Sequence, residues 1–479
     1  MSDVRPGRLF FGSCTAITAL AFSFAALSGV MFQLKSEFLL DNVQVGLIGG
    51  AGLWGMAISQ ASFSSFCDVV GMRNLLRVAL AGQVAGVLLF CFATGFDTLF
   101  AGALVMAIAN GVIEAVCNPL TATLFPDRKA GMLNRMHLWF PGGVAIGGVF
   151  VWFLDLAHTN WRYKMLLVLV PAVAYGLIFL REKFPPTEAQ AAGGRVVDAF
   201  KAVATTPLLW LFLILMAVTM SLELGPNRWI PAVLQAGGLP GILVLVMING
   251  VMAVMRANAH GILARVSPPV LLMVSVAVAG TGLLALSYSS GLVEAVAAAL
   301  IFAVGISVVW PTMMGFVAER APRTGALGLG LMAAAGSLAV GFVTTPLLGQ
   351  IADNHLSQSL DRPAAVQLAT DVLAQPGAQP ALLHTDALAV AGAIGPLPTP
   401  ATGDFLRHAA AGEAGPAVAA RAQPLLDGAD NKSGLLSFRY LTPFAGFVCL
   451  IFGIVVLLDR RAGGYHAQVD RARLAPSGS

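Results

Sequence analysis

Asn110, Glu114 and Asn118 stand four residues apart within an otherwise apolar run from 97 to 120. At helical spacing their three polar groups share one face. An ionisable side chain at bilayer depth costs about 3 kcal/mol even on the lenient insertion scale, so that face looks into a cavity or at a partner and not at lipid. Glu114 is about 17 residues from the start of the run, which at 1.5 Å per residue places it near the bilayer centre. A lone carboxyl group there is suited to carrying a proton. Asn110 and Asn118 can orient the hydroxyls of a polyol solute, or satisfy contacts between helices.

The elements that position these groups are membrane helices. Hydrophobic residues make up 57% of the 479-residue chain and charged ones 11%, with a mean hydropathy of +0.80, far outside the soluble range. Twelve stretches reach spanning length: 9–33, 43–66, 75–94, 97–120, 132–156, 164–181, 207–235, 239–262, 268–288, 290–318, 325–352 and 437–459. Their continuous apolar character excludes a lipid-facing β-barrel, whose strands alternate. One set of connections, with both termini, holds eighteen Lys and Arg residues against nine in the opposite set. Both termini are therefore expected on the cytoplasmic side of a bacterial inner membrane. The net charge of +4 reads as this topology and not as a nucleic-acid surface. The opening MSDVRPGR has no small-residue cleavage site, so the first span is expected to stay. Cys14, Cys67, Cys91, Cys117 and Cys449 show no CxxC spacing, and neither disulfides, a metal nor a cofactor is expected.

An internal repeat organises the spans. Asn118-Pro119 in the fourth is followed eight residues past the proline by Asp127-Arg128, and Trp310-Pro311 in the tenth is followed at the same distance by Glu319-Arg320, an offset of 192 residues. Six helices repeated twice around a central site is the major facilitator arrangement, here an all-α membrane protein of twelve transmembrane helices. The expected division is an N-terminal half over 1–181, a cytoplasmic linker over 182–206, a C-terminal half over 207–459, and a tail over 460–479. Residues 354–436, rich in Ala, Pro, Gly and Asp, are expected to form a poorly ordered external insertion. Short amphipathic pieces such as 364–373 are suited to capping the outer mouth.

Other intramembrane polar groups extend the list. Glycines of the second, fifth and eleventh spans suit close, sliding helix contacts. Asn249 lies near mid-depth in the eighth span. Arg256 and His260 lie toward its cytoplasmic end, where Arg256 either takes a structural or gating role, its guanidinium snorkelling to the headgroups, or contacts solute. Glu223, followed by Pro226, Asn227, Arg228 and Trp229, sits near a point where Gly225-Pro226 is expected to break the seventh helix. It is a candidate outer gate, or half of a local Glu223–Arg228 ion pair. After the second span, FCDVVGMRN keeps a D-x-x-G-x-R core in which Asp68 can meet the positive end of the eleventh helix and Arg73 a carboxylate or headgroup, contacts that favour one facing state.

On these residues the chain resembles the fucose/galactose/hexose symporter branch of the major facilitators. The likeness rests on G-x-x-E-x-x-x-N-P (Gly111, Glu114, Asn118, Pro119) followed by Leu133-Asn134; on Arg256 with Ala264-Arg265 and Pro268; and on Trp310-Pro311-Thr312 continuing to Thr345-Pro346, Gly349 and Asp353. The resemblance implies that Glu114 stands at the branch's proton-coupling, sugar-binding carboxylate. Counting from Phe38, Asn42, Gln44, Gly46 and Leu47 puts Ser28 where the branch has a second acid, and His137 and Phe140 replace its Gln and Asn.

The resulting expectation is a monomeric carrier, not an enzyme, whose partners are a small polar solute of monosaccharide or polyol type, protons through Glu114, and the lipid bilayer. Asn110, Asn118, Asn249, Trp310, Glu223 and Trp229 are its candidate solute contacts, and Asp68, Arg73 and Arg256 its candidate gating residues. The alternatives are a facilitator, an exporter of amphipathic compounds, and a non-transporting membrane sensor.

Overall fold

The computed structural model describes residues 4–125, 129–185, 201, 203–263, 265–321, 325–375 and 380–463. Every one of the twelve apolar stretches falls on helix. In the first half these are α1 (Pro6–Glu37), α2 (Asn42–Val70), α3 (Met72–Cys91), α4 (Phe96–Leu124), the pair α5 (Lys129–His137) and α6 (Trp139–Leu156), and the pair α7 (Trp161–Leu166) and α8 (Leu169–Phe179). The second half contains α9 (Pro207–Ala236), α10 (Gly241–Leu263), α11 (Pro268–Leu286), α12 (Leu292–Ile306) and α13 (Val309–Arg320). It continues with α14 (Gly325–Leu338), a π-helical turn (Ala339–Thr344) and α15 (Thr345–Ser359). Among the described residues eleven segments are long and apolar enough to cross a membrane, and the 29-residue α2 accounts for the second stretch. Most of the 182–206 linker lies outside the described residues.

The expected break at Gly225-Pro226 is corrected: α9 runs unbroken through both Pro226 and Pro231. Proline removes one backbone donor, but in a membrane bundle neighbouring helices and side chains meet the freed groups, and the helix continues. Asn227 Nδ2 donates to the Glu223 carbonyl at 2.9 Å within this stretch.

The expected disordered insertion is corrected as well. The described residues of 354–436 fold into the end of α15, then α16 (Arg362–Leu373), α17 (Ala381–Ala391), α18 (Thr399–Ala410) and α19 (Pro416–Arg439), which leads into the last membrane helix, α20 (Thr442–Arg461). Leu356, Leu368, Val372, Leu383, Phe405 and Leu406 form a core of their own there. Small alanines let these short helices approach closely, so a segment poor in bulky residues still buries an apolar centre. Phe405 is fully buried in it. Phe405→Ala is expected to cost this cap about 3–5 kcal/mol. Hydrogen exchange should then rise across α16–α19 while α1–α8 stay protected; unchanged exchange in the cap would contradict the packing described.

The cap joins both halves at one end of the bundle. Lys35 at the end of α1 reaches Asp430 of α19 and, at 2.8 Å, Asn42 Oδ1. Asn42 Nδ2 donates to Asp353 of α15 at 2.8 Å, the Val43 amide donates to the same carboxylate at 3.2 Å, and Arg407 of α18 completes it at 3.0 Å. Beneath this cluster, glycines let the backbones of the two halves touch. A Cβ added at Gly46 would lie 2.6 Å from the Thr345 carbonyl, at Gly50 2.3 Å from that of Gly341, and at Gly349 2.3 Å from that of Asn42. On the opposite face Arg5 and Arg8 pair with Glu182, and Arg320 pairs with Asp459.

Candidate functional site

The stripe on α4 is tied to three different helices of the first half. Asn110 accepts at Oδ1 from Gln83 Nε2 of α3 at 2.8 Å, and the Tyr175 hydroxyl of α8 donates to Gln83 Oε1 at 3.0 Å. Glu114 accepts from Gln60 Nε2 of α2. Asn118 Oδ1 lies 2.8 Å from His137 Nε2 of α5. Helix spacing thus places the stripe correctly, yet its groups face neighbours within one half and not one common chamber. Gln60 has a second feature: its Oε1 is buried with no hydrogen-bond partner. A carboxamide offers a donor to a carboxylate and an acceptor to a carboxylic acid, so Gln60 can serve either form of Glu114.

One turn toward the cap from Glu114, Asn110 enters a cavity walled by both halves. Ser23 and Phe24 of α1, Gly52 and Met56 of α2, Phe140 of α6, and Arg228 of α9 line it with Asn110. Its volume is about 30 Å³, room for no more than a few water molecules. Admission of any larger solute therefore requires the halves to separate around it. Phe140 packs edge-on against Phe24 with ring centroids 5.8 Å apart. A wider groove of about 510 Å³ opens nearer the cap, lined by Gln33, Asp155, His158, Thr159 and Gln235.

The second-half residues singled out from sequence take other places. Glu223 pairs with Arg256 Nη2 at 2.9 Å, while Arg256 Nε donates to the Ser307 carbonyl at 2.9 Å. One alternative for each of these residues is corrected: Arg256 turns inward and does not snorkel, and the partner of Glu223 is not Arg228. Asn249 is buried, donating to the Leu245 carbonyl at 3.0 Å and standing 3.5 Å from Asn227 Oδ1. Trp229 Nε1 donates to the Thr345 carbonyl at 3.3 Å across to the π-helical region. Trp310 is half-buried against the main core. Arg73 donates to the Leu180 carbonyl at the end of the first half. The side chains of Asp68 and His260 lie outside the described residues. Ser28 is buried with a hydroxyl that has no partner. Among the described residues no cluster of three His, Cys, Asp or Glu is placed to hold a metal ion.

Sequence reasoning missed Gln60 and Gln83, and it did not place Arg228 at the cavity. The first two are lone amides in apolar spans, and they carry the same signal that drew attention to Asn110.

A sequence profile of the Major Facilitator Superfamily matches residues 11–344. The chain belongs to the major facilitator superfamily. Its fold is similar to that of a bacterial homologue of the human lysosomal transporter Spinster in an inward-facing, unoccupied conformation, with a TM-score of 0.67 and 15% identity over 93% of this chain and 97% of that one. Among curated proteins it is 29% identical to the human proton myo-inositol cotransporter over 33% of this chain and 25% of that protein. It is 23% identical to the D-xylose transporter of Levilactobacillus brevis over 38% of this chain and 39% of that protein. The matched region thus spans well under half the length of either relative. Membership makes the chain a multi-pass membrane protein of a transporter family, and the 354–436 cap lies outside the matched profile.

Proposed function

We propose that this facilitator moves a small hydroxylated solute, of the monosaccharide or polyol class, by alternating access coupled to a proton carried on Glu114. The observation that carries this reading is the Gln60–Glu114 pair. It is a carboxyl group in the membrane core, held by an amide suited to both of its protonation states, one helical turn from the Asn110 side of the central cavity. The named activities of the two relatives, proton-coupled myo-inositol cotransport and D-xylose transport, agree in solute class. The absence of an acid at Ser28 favours a second reading, a facilitator that moves the same solute without protons.

In this proposal the halves 1–181 and 207–459 rock about the cavity, with 182–206 as a cytoplasmic linker and 460–479 as a cytoplasmic tail. The basic connections face the cytoplasm of a bacterial inner membrane and the cap lies outside. The protein works as a monomer, without nucleic acid. Purified protein in liposomes tests the reading. Radiolabelled sugars and polyols should exchange by counterflow, and an inward proton gradient should drive their accumulation. Exchange without accumulation would leave only the facilitator; no flux of any such solute would sink both.

A further inference from the structure

Arg228 is 2% exposed, lines the central cavity, and holds its guanidinium 4.0 Å above the Phe24 ring centroid. Its Nε and Nη1 are buried and have no hydrogen-bond partner. Among the described residues no carboxylate pairs with it, in contrast to the other two buried cations: Lys164 meets Asp155, and Arg407 meets Asp353 and Asp404. Glu223, five residues earlier on the same helix, is the acid that could have served Arg228, and it is committed to Arg256. A buried charge without a counter-ion is strongly unfavourable. A ring face offsets only part of that.

We propose that the solute carries a carboxylate, that Arg228 receives it, and that the substrate is therefore a hydroxylated acid of the sugar-acid class. A guanidinium presents a planar fork of donors that matches a carboxylate in two parallel hydrogen bonds. Arg228 lines the cavity together with Asn110 and Ser23. Asn110 has its Oδ1 engaged by Gln83, and Ser23 donates to the Ala19 carbonyl, so the Asn110 amide nitrogen and the Ser23 oxygen are left for hydroxyls. This assignment rests on the cavity being the solute site. It carries a consequence for charge: a monoanion entering with one proton moves no net charge, whereas a neutral sugar entering with one proton does.

Full-length protein in detergent tests this by calorimetric titration with D-glucuronate, D-galacturonate and D-gluconate against their neutral counterparts D-glucose, D-galactose and D-glucitol, with hexanoate as an acid lacking hydroxyls. At least one acid should bind ten times or more tighter than its neutral partner. Arg228→Gln should erase that preference, and Arg228→Lys should restore part of it. Arg228→Gln also removes an unpaired buried charge, so it should melt no lower than the parent. Neutral sugars binding as tightly as the acids, or a preference that survives in Arg228→Gln, would overturn the carboxylate assignment while leaving the hydroxylated-solute reading intact. Hexanoate binding without any sugar acid would do the reverse. No binding at all would remove both. In liposomes, uptake of the tightest-binding acid should be indifferent to an imposed membrane potential; potential-driven uptake would count against the assignment.

Discussion

Replacing Glu114 by Gln abolishes accumulation of solute against its gradient, while counterflow exchange continues within about threefold of the parent rate. Gln has the shape of a protonated carboxyl group, so the contact with Gln60 is kept and α2 and α4 remain packed. What is lost is the exchangeable proton. A carrier with a permanently neutral group at this place still alternates, because alternation depends on differential affinity of the two states for solute, but the proton gradient no longer biases it. The measurement is uptake into liposomes under an imposed pH gradient beside counterflow at equal pH. Undiminished proton-driven accumulation in the variant would end the role given to Glu114. Glu114→Asp, which keeps the acid but shortens its reach to Gln60, should retain accumulation at a reduced rate.

The second large effect is expected at Glu223 and Arg256. Their side chains are 4% and 11% exposed and bridge α9 to α10, with Ser307 adding a third tie. Glu223→Gln leaves the guanidinium buried beside a neutral amide, which should destabilise the protein by about 3 kcal/mol and lower its melting temperature in detergent by several degrees. Arg256→Gln leaves the carboxylate exposed to the same penalty. The double variant carries neither charge and should regain much of the loss, a signature of direct coupling between the two sites. If the double variant melts as low as the sum of the singles predicts, the pair is not acting as one unit. The comparison with Arg228 is instructive: the same residue type on neighbouring helices is neutralised within the fold in one case and left unpartnered in a cavity in the other.

The bundle was legible because a spanning helix must be about 20 residues of continuous apolarity, a signal that needs no knowledge of partners. The α4 stripe was legible for a related reason, since polar groups at that depth are costly wherever they point. What they point at was not legible. Spacing gives the face of a helix but not which neighbour lies across it, so the facing of Asn110, Glu114 and Asn118 onto three separate helices emerges only in three dimensions. Arg228 was read beside Glu223 because the two are near in sequence. Five residues along a helix turn them well apart, and the acid met α10 instead. The cap was misread for lack of bulk: its helices bury Ala with a few Leu, Val and Phe residues, a composition shared with unfolded segments, and only their mutual packing makes a core.

The ionic cluster that binds Lys35 and Asn42 to Asp353, Asp430 and Arg407 gives the two faces of this carrier unequal sensitivities. Opening the cap face means parting charges that belong to opposite halves. Once water and mobile ions enter, their attraction is screened within about 8–10 Å at ordinary salt. The described ion pairs on the terminal face, Arg5 with Glu182 and Arg320 with Asp459, do not bridge the two halves, and rocking the halves need not separate them. Ionic strength on the cap side should therefore shorten the closed dwell there, while the same salt on the other side leaves the cycle's timing alone. The medium facing the cap becomes a control on transport rate that acts without touching the solute site.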